Sequence, residues 1–434
     1  MTGTTGADEP KARRGGILRS VLGVGGVQAV SVPLLLAVSI VFARLLGPED
    51  FGRFAFALSL GNLLALPAGR GVGPLITREV ARGITDGSPG LVIGLRKRTR
   101  QLHLVFSALM VLVVPYFAFG IGSPALATAG LLGAILSRYY IDSGFIRGMH
   151  KPVLSQVALN VVRPISVLAV AMIVWLLFGI ELPEALASQV VGTVLGLVVS
   201  LWFTRQALAS VDRHAEALFK DREWMRSYLP FVITTGMGFL NVEIGILLLT
   251  AISDPEGASG MRIAQNAGQL VILPLMAVNM VVQPKLAALA RATDKGALLS
   301  TYINGAKLAL LGSLALGVPV IVLAEPLVRI AFGGDYVPLA ANAIRVLVVG
   351  QILSSTIGPS GTFLGMIGKE RLGTYAHLSG LLVAVVFVLL LAPALSATGA
   401  ALGITAGLLV KNGAEAVFLR MIQGSWLFAF ARPK

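Results

Sequence analysis

No cysteine occurs in the 434 residues, which excludes disulfides, thiolate metal ligands and thiol catalysis. Charge is scarce as well. Asp, Glu, Lys and Arg make up 13% of the chain, against about 25% in a typical soluble domain. That leaves too little polar surface for a chain of this size to stay in water. Histidine occurs four times and never as H-E-x-x-H, so a metallohydrolase lacks its ligands. The phosphate loop G-x-x-x-x-G-K-[ST] is also missing. Its nearest approach, Gly368-Lys369-Glu370, lacks the first glycine and the hydroxyl residue, which argues against an ATP-driven pump. These absences point to a protein that is no enzyme and holds no cofactor. No segment between the apolar stretches is long enough to fold as a domain of its own.

Apolar residues fill the chain instead, at 56% of the sequence and a mean hydropathy of +0.83. Stretches of about 20 residues, the length of a membrane-crossing helix, recur along it. They lie at 21–45, 53–75, 100–121, 124–146, 153–179, 184–204, 228–252, 258–283, 301–324, 338–366, 372–392 and 396–419. The expectation is an all-α integral membrane protein with twelve transmembrane helices. The first stretch is too long for a signal-peptide core and has no clear cleavage site. Residues 1–16 are polar and Gly/Thr-rich and read as a disordered tail.

The net charge of +14 would suit nucleic acid, but its distribution does not. With the N-terminus inside, the loops expected outside hold Glu49, Asp50, Glu181, Glu184, Asp254, Glu256, Glu325 and Asp335. They carry few basic residues beyond Arg53 and Arg329. The opposite loops and both termini collect most of the Lys and Arg, as at 96–100, 205–226 and 285–295. This positive-inside pattern puts both termini in the cytoplasm. The basic excess then faces anionic lipid head groups rather than nucleic acid.

An even number of spans allows two six-helix halves of one orientation, 17–205 and 228–420, joined by a cytoplasmic linker at 206–227 and followed by a tail at 421–434. A faint repeat supports them. Pro48-Glu49-Asp50-Phe51-Gly52 resembles Pro255-Glu256-Gly257 to Gly260, and Ser59, Asn62 and Pro67 stand 207 residues before Asn266, Gln269 and Pro274. Repeats of one orientation imply a pseudo-twofold axis along the membrane normal and a central cavity between the halves.

Polar residues inside spans are costly, about 2.5–3.5 kcal/mol for an Arg or Asp at the helix centre, so they should face one another or a wet cavity. Arg262, Gln265, Asn266 and Gln269 share one helical face. Asn62 and Arg70 lie in the second span, Arg163 in the fifth, Glu243 in the seventh and Arg345 in the tenth. Arg163, Glu243 and Arg262 are too deep to reach the surface easily. For them a cavity role competes with an ion pair between helices, for instance Glu243 with Arg262. Arg70 sits near the inner end of its span and is as well placed to reach the surface. Arg138 with Asp142 and Lys411 with Glu415, each four residues apart, read as structural pairs.

The run Ala43-Arg44-Leu45-Leu46-Gly47-Pro48-Glu49-Asp50-Phe51-Gly52, then Gly71 and Arg78-Glu79-Val80-Ala81-Arg82, resembles the start of the bacterial polysaccharide transporter family. These are the O-antigen and exopolysaccharide flippases of the multidrug/oligosaccharidyl-lipid/polysaccharide (MOP) exporter superfamily. The resemblance implies a MATE-like fold in the bacterial cytoplasmic membrane. It implies as substrate an oligosaccharide repeat unit joined by a diphosphate to a polyprenyl lipid. Glycosyltransferases and a polysaccharide polymerase become the expected partners. Arg163, Arg262, Arg345 and Arg70 are then candidates for the diphosphate, because the guanidinium fork matches phosphate oxygens. Asn62, Gln265, Asn266 and Gln269 can hydrogen-bond sugar hydroxyls. Glu243 is the candidate for coupling to a proton or sodium ion.

Three alternatives stand beside it. A multidrug exporter of the superfamily typically keeps an acidic residue beside a proline in the first helix, and here Pro33 has no Asp or Glu from Val21 to Leu46. A lipid II flippase generally has fourteen spans. A non-transporting scaffold would have no need of buried arginines.

Overall fold

Proline opens several of the helices, at the position where its missing N–H is not needed. Pro89, Pro124, Pro152 and Pro255 begin α3 (Pro89–Pro115), α4 (Pro124–Gly148), α5 (Pro152–Val157) and α9 (Pro255–Ala292). The other helices are α1 (Glu9–Leu64), α2 (Gly73–Thr85), α6 (Arg163–Phe178), α7 (Leu182–Ala207), α8 (Asp221–Ala251), α10 (Lys295–Val322), α11 (Ala324–Ala331), α12 (Val337–Ile357), α13 (Ser360–Met366) and α14 (Glu370–Gln423). This computed structural model describes residues 9–116, 120, 122–212, 214–292 and 295–431, and no strand occurs among them.

Among the described residues eight helical segments are long and apolar enough to cross a membrane, which makes the chain a multi-pass membrane protein. At least three of those eight are divided. α1 turns at Gly47 (φ 74°, ψ 173°), just before Pro48, and α14 turns at Ser396 (φ 48°, ψ −130°). The stretch 338–366 read as one span is α12 and α13, parted by Gly358 at φ 80°. Helices also start earlier than hydropathy suggests. α1 begins at Glu9, inside the expected tail, of which residues 1–8 lie outside the described residues. α8 begins at Asp221, inside the expected linker. The reason is shared: polar residues can extend a helix past the apolar core that a hydropathy window measures.

Burial follows membrane logic. Large apolar side chains face outward and small ones pack inward. α6 buries Val167 and Ala171 while Ile173, Leu176, Leu177 and Phe178 stand exposed. α7 approaches α6 through Gly192 and Gly196. A Cβ on Gly192 would lie 2.5 Å from the Cα of Val167, and one on Gly196 would lie 3.0 Å from the Cα of Arg163.

α1 packs on α4, α8 and α9, and α9 packs in turn on α10 and α12. At the end bearing the Gly47 turn, Phe42, Phe51, Phe54, Phe332 and Tyr336 form a buried aromatic cluster. At the opposite, basic end the chain before α8 lies over α3. There the Leu218 N–H donates to Gly90 O at 2.9 Å. The first two turns of α8 are tied to the same side: Arg98 to Asp221 at 2.5 Å, Arg78 to Ser227 at 3.0 Å, and the Tyr228 hydroxyl to Pro67 O at 2.8 Å.

Candidate functional site

A cavity of about 160 Å³ lies between α1, α6, α7, α8 and α9. Its polar lining is Ser39, Asn62, Arg163, Gln189, Glu243, Arg262, Asn266 and Gln269, completed by apolar residues such as Leu35, Val38 and Leu58. Six residues singled out in the sequence therefore meet in one place: Asn62, Arg163, Glu243, Arg262, Asn266 and Gln269.

Glu243 and Arg262 hold each other. Arg262 Nη2 donates to Glu243 Oε2 at 3.1 Å and Nη1 reaches Oε1 at 3.4 Å. Ser59 Oγ lies 2.7 Å from Glu243 Oε2 and accepts from Arg262 Nη2 at 2.6 Å. The pair is largely buried, with side-chain exposures of 14% and 12%. At such burial each charge offsets the desolvation of the other. Of the two readings open for these residues, the pair between helices is thus formed, and it is formed in the cavity wall.

Arg163 has no such partner. Its Nε lies 3.4 Å from Thr193 Oγ1, and it makes no ion pair among the described residues. Local geometry explains its position. Residues 158–162 form a π-helical turn directly before it, and the Tyr139 hydroxyl donates to Ala158 O at 2.7 Å within that turn. Pro164 follows, and Gly196 lets α6 and α7 close on one another. π-turns often mark functional positions because they re-aim a side chain. A second one, Leu66–Arg70, carries Arg70.

Arg70 sits behind the cavity wall. Its guanidinium lies over the rings of Tyr140, at 5.4 Å, and Phe239, at 4.9 Å. The Tyr140 hydroxyl donates to Asn62 Oδ1 at 2.9 Å, linking Arg70 to the lining at one remove. Gln265 is turned away and donates to Val242 O at 2.6 Å.

Arg345 is not part of the site. It pairs with Glu325 of α11 at 2.8 Å and with Asn342 at 2.9 Å, and its side chain is 36% exposed. The short helix α11 brings that carboxylate back to it.

Gln189, Ser39 and Tyr140 were not singled out in the sequence. Gln189 and Thr193 share a face of α7 at a spacing of four, a signal that one apolar-rich span hid. Asn266 Nδ2 and Gln189 Oε1 are buried with no hydrogen-bond partner in the protein, as are atoms away from the cavity such as Arg147 Nε and Ser200 Oγ. Among the described residues no group of three His, Cys, Asp or Glu is placed to hold a metal ion.

A polar, charged cavity thus lies within a bundle of membrane helices. The match to solved structures gives that fold its class. An inward-facing multidrug resistance MATE family transporter of the MOP superfamily aligns with a TM-score of 0.73 at 18% identity, covering 93% of this chain and 98% of that one. The lipid II flippase MurJ in an inward closed conformation aligns at 0.72 and 12% identity, covering 92% and 87%. A MOP superfamily transporter from Pyrococcus furiosus aligns at 0.65 and 18%, covering 94% and 95%. The fold is that of MOP superfamily transporters and flippases. The family described as Polysaccharide biosynthesis protein matches residues 17–290, and the chain belongs to that family. No curated protein matches it.

Proposed function

We propose that this protein is a flippase that turns polyprenyl-diphosphate-linked oligosaccharide repeat units outward across the bacterial cytoplasmic membrane, for cell-surface polysaccharide synthesis. The observation that carries the reading is the charge balance of the cavity. Its lining holds one carboxylate, Glu243, and two guanidinium groups, and Arg262 already occupies that carboxylate. Arg163 is left to a negatively charged ligand. A diphosphate suits it because the guanidinium fork matches phosphate oxygens. Asn62, Gln189, Asn266 and Gln269 offer amide groups for sugar hydroxyls.

The chain is read as twelve spans in two six-helix halves, with both termini and the basic loops in the cytoplasm. The turns at Gly47 and Ser396 support that count, as do the lengths of α3 and α4, 27 and 25 residues. In this reading the halves rock about the cavity. The head group enters from the cytoplasmic side, where glycosyltransferases assemble it, and leaves outside, where a polymerase consumes it. The lipid tail stays in the bilayer.

The test is transport of a fluorescent lipid-diphosphate glycan in proteoliposomes. Arg163→Ala should lose at least about tenfold in rate, and Arg163→Lys should keep part of it, since a charge without the fork remains. Full transport by Arg163→Ala would remove the residue from the site.

A cation-coupled multidrug exporter of the same superfamily is disfavoured by the same balance, because the cavity has no free carboxylate for a cationic drug. Coupling to a proton or sodium ion through Glu243 requires a state in which Arg262 lets go of it. Glu243→Gln with unaltered pH- and sodium-dependence of transport would rule that coupling out.

A further inference from the structure

The motif that marks the family, Ala43 to Gly52, contributes no side chain to the cavity. Its residues sit one turn and more beyond Ser39, around the Gly47 turn of α1. Several of them make contacts there. The carbonyl of Ala43 accepts the Tyr336 hydroxyl at 2.7 Å. Gly52 lies against Pro255 so closely that a Cβ would fall 1.7 Å from the Pro255 carbonyl oxygen. Phe42 stacks on Phe54 at 4.4 Å, and Phe51 meets the edge of Tyr336 at 6.1 Å. These rings are buried. Together they close the Gly47 end of the bundle above the cavity.

Arg44 carries a charged side chain across this seam. Its Nε donates to Ala331 O at 2.7 Å and its Nη2 donates to Ile330 O. Those are the last carbonyls of α11, which no residue of α11 can satisfy, and the end of a helix dipole favours a cation there. An arginine 286 and 287 residues earlier in the chain supplies both. Arg44 is also exposed. With the Gly47 end read as the outer surface of the membrane, water takes over its partners when it withdraws, so the contact opens at lower cost than a buried ion pair. The backbone beside it is prepared for movement. Pro48 offers no N–H to the Arg44 carbonyl, and Gly47 has left-handed φ.

We propose that Arg44 is the latch of a gate at this end: it caps α11 from across the seam and must release those carbonyls before the cavity opens there. The latch is a property of the closed state, so losing it shifts the balance toward the open one. The proposal rests on the reading above that the Gly47 end faces outward. Its test needs no substrate, so it succeeds or fails independently of what the cavity binds.

Because the natural chain has no cysteine, Ser39→Cys places a single thiol in the cavity wall beneath the seal. A membrane-impermeant maleimide is added outside intact cells and the labelling rate is measured. Arg44→Ala should raise that rate at least about fivefold over the Ser39→Cys parent, and Arg44→Lys should fall between. Tyr336→Phe removes the bond to Ala43 while keeping the ring, and should also raise it, which covers the case in which Arg44→Ala fails to reach the membrane. An unchanged rate in both variants overturns the latch. A rise seen only when the reagent is applied to inside-out vesicles keeps the latch and overturns the orientation.

Discussion

Arg262 Nη2 lies 3.4 Å from the carbonyl oxygen of Ala55, a residue 207 positions earlier. The same interval separates Ser59 from Asn266, Asn62 from Gln269 and Pro67 from Pro274. Residues exchanged by a twofold axis meet only close to that axis. If the interval marks a repeat, its axis passes between α1 and α9 beside Glu243. The two mates differ as much as residues can, a methyl and a guanidinium. At this contact the charge is supplied by α9, and Ala55 of α1 makes room for it.

That room can be tested. Ala55 is fully buried. Ala55→Leu forces extra methylenes beside Arg262 and should cost about 1–3 kcal/mol, read as a lower melting temperature of the purified protein in detergent. Ala55→Gly should cost no more than about 1 kcal/mol.

The Glu243–Arg262 pair makes a second prediction. Removing either partner strands a buried charge, so Glu243→Gln and Arg262→Gln should each destabilise by about 3–5 kcal/mol. The double substitution should cost clearly less than their sum, and the double-mutant cycle measures the difference. Strict additivity would mean that the two side chains do not depend on each other.

How much of this was legible in the sequence depends on the physics each feature requires. Membrane class and most helices follow from hydropathy alone. The meeting of Asn62, Arg163, Glu243, Arg262, Asn266 and Gln269 also follows from a general rule, because polar groups cannot face lipid and few places remain for them. Arg345 shows where that rule stops. It lies inside an apolar stretch, but Glu325 on an eight-residue helix reaches it, and so short a helix leaves no trace in a hydropathy window. The π-turns at 66–70 and 158–162 have no sequence signature, although they aim Arg70 and Arg163. The approach of α7 through Gly192 and Gly196 is spelled out in the chain, but nothing there says which helix it admits.

Arg345 supplies a third prediction. A partly exposed pair is worth about 0–1 kcal/mol. Arg345→Ala should therefore leave both melting temperature and transport near the parent values, in contrast to Arg163→Ala in the same proteoliposomes. A severe transport loss in Arg345→Ala would place it in the pathway after all.

Two glycines should respond in opposite ways. Gly52→Ala must move α1 off Pro255, because the added Cβ would otherwise lie 1.7 Å from its carbonyl oxygen. Its cost should exceed the roughly 1–3 kcal/mol of ordinary overpacking. Gly413 lies inside α14 with nothing within 4 Å of its would-be Cβ. Gly413→Ala should stabilise by about 0.5–1 kcal/mol, the difference in helix propensity. Parallel thermal melts decide both.

The segment from Leu218 to Tyr228 bears on how this chain can be cut. It spans the end of the expected linker and the start of α8, yet its partners Gly90, Arg98, Arg78 and Pro67 all lie in the chain before it. A fragment ending at Ser210 would lose the cover over Gly90 and Gly94, whose Cβ positions are filled by the backbone of Glu216 and Leu218. A fragment carried on through Tyr228 would keep it. The start of α8 therefore packs with the chain that precedes it. Anyone expressing the halves separately would do better to divide them inside α8 than at the linker.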